Sequence, residues 1–261
     1  RRNDMYDLSK VKVSNSPHIR SEDSTRQIML DVIIALLPAL ALSVFVFGAR
    51  ALAMVCISVL GCVFFEWGYN KLLKKPQSIG NCSAIVTGML LAYTLPVTAA
   101  PWMILIGDFF AIVIVKSLFG GIGKNFMNPA LGGRAFLMAS YPVFMTTWCK
   151  VHTSLPLLGH CDVVSGATPL SFLKAGQLPD VSLTDAALGM VGGCLGETSA
   201  LALLAGGLWL LSRRVINLRI PVSFLGTVAV LTLIFPKGDQ GAFQWMAYQL
   251  LSGGLMLGAI F

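Results

Sequence analysis

The sequence predicts an all-α polytopic membrane protein, a helical bundle with a glycine-rich re-entrant segment and traces of two repeated halves. Three observations predict it. Hydrophobic residues fill 56% of the 261 positions and charged ones 12%, with a mean hydropathy of +0.76, far outside soluble-domain composition. Long apolar runs almost free of charge recur along the chain, and in lipid each must satisfy its backbone internally, as a helix or in a closed barrel. The runs are uniformly apolar, without the alternation that barrel strands require.

Eight spans follow, at 28–48, 51–70, 81–96, 101–119, 131–147, 198–212, 220–236 and 243–261. The basic residues order them. Arg1, Arg2, Lys10, Lys12, Arg20 and Arg26 precede the first span, and Lys71, Lys74 and Lys75 follow the second. Lys116, Lys124 and Arg134 surround the connection from the fourth to the fifth, and Arg213, Arg214 and Arg219 lie between the sixth and seventh. All four clusters fall on one side if alternate loops face out, which satisfies the positive-inside rule and places the N-terminus in the cytoplasm. The formal net charge of +7 therefore reads as topology, with lipid as the partner and no nucleic acid. The organisation expected is a cytoplasmic segment at 1–27, a five-helix bundle at 28–147, an outer-face loop at 148–183, and a second membrane bundle at 184–261. A polar stretch precedes the first span, which is long enough to cross, so it is not read as a cleavable signal peptide.

The stretch 184–197 is apolar and glycine-rich but too short to cross in addition to its neighbour. It reads as re-entrant, lining a pathway or cofactor pocket, because non-helical backbone at membrane depth needs protein or water around it. An interfacial amphipathic turn is the alternative. A weak repeat at an offset of 140 aligns Ser83, Thr87 and Pro96 with Ser223, Thr227 and Pro236, as in duplicated transporters.

Several chemistries are not supported. The six cysteines form no Cys-x-x-Cys, and Cys56, Cys62, Cys82 and Cys194 lie in or beside apolar segments as small hydrophobes. Cys149 and Cys161 flank a polar loop and can pair if it faces an oxidising compartment. His18, His152 and His160 lack ligand spacing, and no Ser-His-Asp or paired-carboxylate arrangement is recognisable. The glycines of 120–128 lack the spacing of a phosphate loop and suit a broken or closely packed helix end. Trp67, Trp102, Trp148, Trp209 and Trp245 lie mainly near span ends, as an interfacial belt does.

The outer loop carries Ser165-Gly166-Ala167-Thr168 followed by Pro169-Leu170. Alone, such a tetrapeptide is most often a plain turn. Further blocks accompany it in order: Ser16-Pro17-His18-Ile19-Arg20, Phe119-Gly120-Gly121-Ile122-Gly123-Lys124-Asn125, Asn128-Pro129-Ala130, Gly133-Arg134-Ala135-Phe136, Tyr141-Pro142 and Gly196-Glu197-Thr198-Ser199. Together they cover nearly the whole chain, which resembles the RnfD/NqrB family of membrane subunits. The absence of a long N-terminal extension favours the Rnf protein over its counterpart in the sodium-pumping NADH:quinone reductase.

The resemblance implies FMN esterified through its phosphate to the Thr168 hydroxyl, with Ser165, Gly166 and Ala167 forming the rest of the motif, and a second, non-covalent flavin (riboflavin) that these residues do not place. It also implies partners: the other Rnf membrane proteins, the flavin-bearing RnfG protein and the iron–sulfur proteins RnfB and RnfC. The expected activity is electron transfer between reduced ferredoxin and NAD, coupled to Na+ or H+ export across a bacterial or archaeal cytoplasmic membrane. The chain ends before the final helices and tail expected of the family. Catalysis would belong to the complex, with no complete active site on this chain.

Ionisable residues in or near spans are the other candidates, since a charge in hydrocarbon costs at least about 2.5–3.5 kcal/mol and faces a bundle interior, a partner or a wet path. Asp31, Glu66 and Lys116 sit near span ends, within reach of the interface. Asp108 and Glu197 are candidates for an ion pathway, Glu197 foremost because it follows the re-entrant glycines. Helix capping and packing is the competing reading of Glu197. Two rival functions remain open: a permease without redox role, and a passive flavin-bearing anchor.

Overall fold

The computed structural model describes residues 24–149, 151, 153, 155–158, 166, 168–197, 199–237, 241–252 and 254–261. Among these the chain is helical, without named strands, and its lone β-bridge joins Pro96 to Cys194.

Two helices run long and unbroken. α1 (Thr25–Phe47) starts on a capping box in which the Ser24 hydroxyl accepts from the Gln27 N–H while the Gln27 side chain accepts from the Ser24 N–H, satisfying two donors that helix geometry leaves orphaned. α2 (Ala49–Leu72) follows after Gly48, whose φ of 74° is open to glycine without steric cost. These are the two helices long and apolar enough to cross a membrane by length and composition.

The remaining expected spans are shorter or interrupted. The third is α3 (Ser83–Tyr93), whose 11 residues rise about 16 Å, half the hydrocarbon thickness. It stops at Thr94-Leu95-Pro96, where the chain bends into the bridge with Cys194 and the Leu195 N–H donates to the Leu95 carbonyl at 3.1 Å. The fourth joins α4 (Pro101–Phe109) to a π-helical segment, Phe110–Ser117. The fifth breaks at Tyr141 into α5 (Pro129–Ser140) and α6 (Pro142–Met145), because Pro142 has no N–H to continue the ladder. The loop after α6 leads to α7 (Pro169–Lys174), and α8 (Leu183–Leu188) then opens the segment expected to re-enter. α9 (Ala200–Ser212) and α10 (Arg219–Ile234) match their expected spans closely. The last span breaks at Ser252 into α11 (Ala242–Leu251) and α12 (Leu255–Ile260). Of the eight expected spans, the third is thus corrected to a half-length helix and the fifth and last to broken ones, while the others run as continuous helices. A uniformly apolar run reveals membrane depth but not where tertiary contacts replace the helical hydrogen bonds.

Within the segment expected to re-enter, residues 189–194 are non-helical and Leu195–Glu197 forms one 3-10 turn. Val191, Cys194, Leu195 and Gly196 are buried, so this backbone lies inside protein rather than at an interface.

Packing is densest between α2 and α3 and between α1 and α9. The second crossing is close: a Cβ on Gly206 would lie 2.1 Å from the Ala35 carbonyl oxygen, so only glycine allows the approach. One core cluster joins α1, α3, α9 and α12 around Leu36, Tyr93, Leu203 and Leu257. Another gathers Phe47, Met54, Leu95, Met103, Leu137 and Leu195 around the chain bends. Outside these cores Phe45, Leu60, Phe64, Leu208, Ile220 and Phe243 are exposed, an apolar surface suited to lipid. Trp67, Trp102 and Trp209 are exposed as a belt requires, whereas Trp245 is buried against Leu173, Ala186 and Tyr248.

The two repeat copies share one local feature. Thr87 donates to the Ser83 carbonyl and Thr227 to the Ser223 carbonyl. Their surroundings differ, since α3 is almost wholly buried and α10 has no buried residue.

Candidate functional site

Thr168 is the N-cap of α7, and Pro169 follows it in the first turn, where a missing N–H loses no hydrogen bond. The Thr168 hydroxyl oxygen accepts from the Ser171 N–H at 3.3 Å, and the Ser171 hydroxyl donates to the Thr168 carbonyl at 2.6 Å. The cap uses a lone pair on the Thr168 oxygen and leaves the O–H bond, the one a phosphoester replaces, out of that contact.

A cavity of about 410 Å³ opens beside this residue. Thr168, Leu170 and Lys174 form one wall, Arg134 and Met138 of α5 another, and Trp148, Val191 and Glu197 close it. The size is in the range of small-molecule and cofactor sites. Apolar and aromatic side chains lie beside two cations, a combination suited to a ring system carrying a phosphate. A flavin mononucleotide held at Thr168 fits this lining.

Glu197 lies in the same cavity. Arg134 Nη1 is 3.4 Å from its Oε1, and the Cys194 N–H donates to its Oε2 at 3.4 Å. The two side chains are 27% and 12% exposed, so the pair sits at a wet boundary. A Cβ on Gly254 would fall 2.9 Å from Glu197 Oε1, which places the break between α11 and α12 against this carboxylate. Ser199 caps α9, accepting from the Ala202 N–H at 3.2 Å, while the Glu197 contact with the Cys194 N–H caps the 3-10 turn that Glu197 itself ends. Three interruptions therefore converge, at 94–96, at 189–194 with the 3-10 turn that follows, and at Ser252 and Gly254.

Asp108 lies apart from this cavity, fully buried between α4 and α2. Ser58 Oγ is 2.6 Å and Cys62 Sγ 3.3 Å from its Oδ1, and its Oδ2 has no hydrogen-bond partner among the described residues. Glu66 and Lys116, expected to reach the interface, instead form a buried pair at 2.9 Å, with side chains 3% and 5% exposed. Lys116 also donates to Ser83 at 2.6 Å, and Ser78 donates to Glu66. The correction has a simple physical basis: α3 and the loop before it supply hydroxyls that satisfy the charges, which span position alone does not reveal. Asp31 pairs with Arg213 at 3.2 Å across α1 and α9, at an edge where the arginine is half-exposed.

Of the sequence-derived site residues, Thr168 and Glu197 share one cavity and Asp108 does not. Gly166 is tied to the Trp148 carbonyl through its N–H at 2.9 Å; Ser165, Ala167 and Cys161 lie outside the described residues. Sequence reasoning misses Arg134 and Lys174 as site residues. Arg134 stands inside one of the family-like blocks, a signal that a cation is wanted there, whereas nothing local marks Lys174.

The chain is 48% identical over 254 residues to the D subunit of the Na+-translocating ferredoxin:NAD+ oxidoreductase complex of Acetobacterium woodii, covering 96% of this chain and 76% of that protein. It is 40% identical over 259 residues to the D subunit of the proton-translocating ferredoxin:NAD+ oxidoreductase complex of Clostridium ljungdahlii, covering 95% and 76%. It is 38% identical over 269 residues to the D subunit of the ion-translocating oxidoreductase complex of Stutzerimonas stutzeri, covering 91% and 75%. The family model described as NQR2, RnfD, RnfE matches residues 12–261, and the chain belongs to that family of membrane proteins.

Proposed function

We propose that this chain is the RnfD component of an ion-translocating ferredoxin:NAD+ oxidoreductase, carrying FMN esterified to Thr168 and coupling electron transfer to Na+ or H+ movement. The observation that carries the reading is the shared cavity: the Thr168 hydroxyl, two cations and the Glu197 carboxylate line one space. A bound flavin supplies one- and two-electron chemistry, while the protein supplies position and electrostatics. Thr168 would hold the phosphate, with Lys174 and Arg134 in the same lining to offset its charge, and Met138, Trp148 and Val191 would supply the apolar wall. Glu197 sits where a change of charge in the cavity alters its pairing with Arg134, which makes it the residue through which redox state and ion affinity are linked. Partners of this assembly are the other Rnf membrane proteins, the flavin-bearing RnfG and the iron–sulfur proteins RnfB and RnfC. The Thr168 loop faces outward from the cytoplasmic membrane and the N-terminus faces the cytoplasm.

The test is in-gel fluorescence of the denatured protein under ultraviolet light, with mass spectrometry of the peptide covering 162–174. The parent fluoresces and carries an FMN-sized adduct; Thr168→Val is dark, and Thr168→Ser, which keeps a hydroxyl, regains the band. A dark parent from cells competent to attach flavin removes the flavoprotein reading. The convergence of broken helices would then favour a permease without redox role.

A further inference from the structure

Asp108, Cys62, Glu66 and Lys116 are not used by the cavity at Thr168, yet they form one connected polar strip inside the membrane bundle. On α2, Ser58, Cys62 and Glu66 recur every four residues and share a face. Opposite them stand Asp108 and Lys116, eight positions apart. An α-helix would turn residues at that spacing about 80° away from each other. The π-helical segment Phe110–Ser117 turns less per residue, which brings Lys116 to the same α2 face as Asp108. Cys62 thus stands on the α2 face between Asp108, whose Oδ1 is 3.3 Å from its Sγ, and Glu66, one turn further along.

One end of the strip opens. Glu66 and Lys116 line a polar cavity of about 230 Å³ together with Asn70, Lys75, Ser78 and Asn81. The other end is closed, with Asp108 fully buried. Gly61 makes room for the carboxyl, since a Cβ there would lie 2.5 Å from Asp108 Oδ2.

The hydrogen bonds around Ser58 indicate which form of Asp108 fits. Ser58 Oγ stands 2.9 Å from the Gly88 carbonyl oxygen and 2.6 Å from Asp108 Oδ1. Facing a carboxylate, Ser58 has two acceptors and one proton, so one contact goes unmade. Facing a carboxylic acid, Asp108 donates to Ser58 and Ser58 donates to Gly88, and both short contacts become hydrogen bonds. A bare Oδ2 is likewise tolerable on a neutral acid and costly on an anion. The groups facing Asp108 are Ser58 and Cys62 from α2 and the Gly88 carbonyl from α3; beyond Cys62 lies the Glu66–Lys116 pair, which is internally neutral. From α5, Leu137 packs beside neighbouring Gly107.

We propose that Asp108 is a membrane-embedded proton-binding site, held as the acid and exchanging its proton with the polar cavity at Glu66 and Lys116 along the Cys62 face of α2. The inference rests on the proposed reading only in taking ion movement as part of the function, and it requires no flavin.

Its first test uses the unaltered protein. The intact complex in lipid vesicles is treated with a hydrophobic carbodiimide, which attacks carboxylic acids in apolar surroundings, and the peptides covering 61–71 and 101–116 are weighed. Asp108 acquires the adduct, its labelling falls as pH rises, and Glu66, paired with Lys116, stays unlabelled. Infrared spectroscopy of the same sample shows a carboxylic-acid band that shifts in D2O and is lost in Asp108→Asn. An unlabelled Asp108 at every pH overturns the proposal, as does displacement of the acid band by Na+ at fixed pH, which would assign the carboxyl to a metal cation. Neither readout depends on Thr168, so a dark gel band with a labelled Asp108 would defeat the flavin reading alone.

Discussion

Two of the oppositely charged pairs in this bundle differ in almost every respect. Glu66 and Lys116 stand 2.9 Å apart, nearly inaccessible, with Ser78 and Ser83 completing their hydrogen bonding. Glu197 and Arg134 stand 3.4 Å apart at the wall of a cavity, partly exposed, with glycines on the neighbouring breaks. The first belongs to helices bound tightly to α2; the second bridges α5 to a segment that is mostly not helical. A buried, fully bonded pair is costly to separate because neither charge has water to return to. A partly wet pair separates cheaply, so a ligand's charge can redirect it. The fold thus keeps a rigid polar strip near α2 and an adjustable one beside Thr168.

The sharpest way to break this contrast is Lys116→Met. It strands the Glu66 carboxylate and should cost about 3–5 kcal/mol, read as a large fall in the apparent Tm of the purified protein in detergent. The pair Glu66→Gln with Lys116→Met removes both charges and should recover most of that loss. If the single variant is as stable as the parent, the strip is wetter than its burial indicates.

Gly206→Val probes the packing that holds α9, and with it the end of the re-entrant segment. Its added carbons meet the Ala35 carbonyl of α1, with an expected penalty of about 1–3 kcal/mol from overpacking. Loss of flavin attachment in parallel with Tm would tie the cavity to this crossing.

Glu197→Gln should change stability by less than about 1 kcal/mol, since the pair is partly solvated, while abolishing redox-driven ion uptake into vesicles. Unchanged uptake would reduce Glu197 to a packing residue and leave Thr168 as the working part of that cavity.

Asp31→Asn, at the edge contact with Arg213, should have the smallest effect, about a few tenths of a kcal/mol and weakening further with salt. A larger fall in Tm would show that the α1–α9 edge is drier than the other exposed contacts.

Much of this is legible in the residues. Composition places the chain in a membrane, because no soluble fold can hide so much apolar surface. The glycines of 189–197 mark a segment that cannot continue as helix, and the local patterns around Thr168 and Glu197 point to two residues that share a cavity. The breaks in the third, fifth and last spans carry local marks as well, in Pro96, Pro142 and Gly254, but the hydropathy that places the spans is indifferent to hydrogen bonding and runs across them. Arg134 and Lys174 are hidden for a different reason, since a cation's role is set by what lies across from it.

The sequence by itself determined that the chain is helical, membrane-embedded and a member of its family, for those properties rest on local composition and on motifs read in order. Only the tertiary structure decided that Glu66 and Lys116 satisfy each other, that Glu197 faces Arg134, and that Asp108 ends a polar strip. Each of those outcomes depends on which helix packs against which, and residues 50 or more positions apart carry no local trace of meeting.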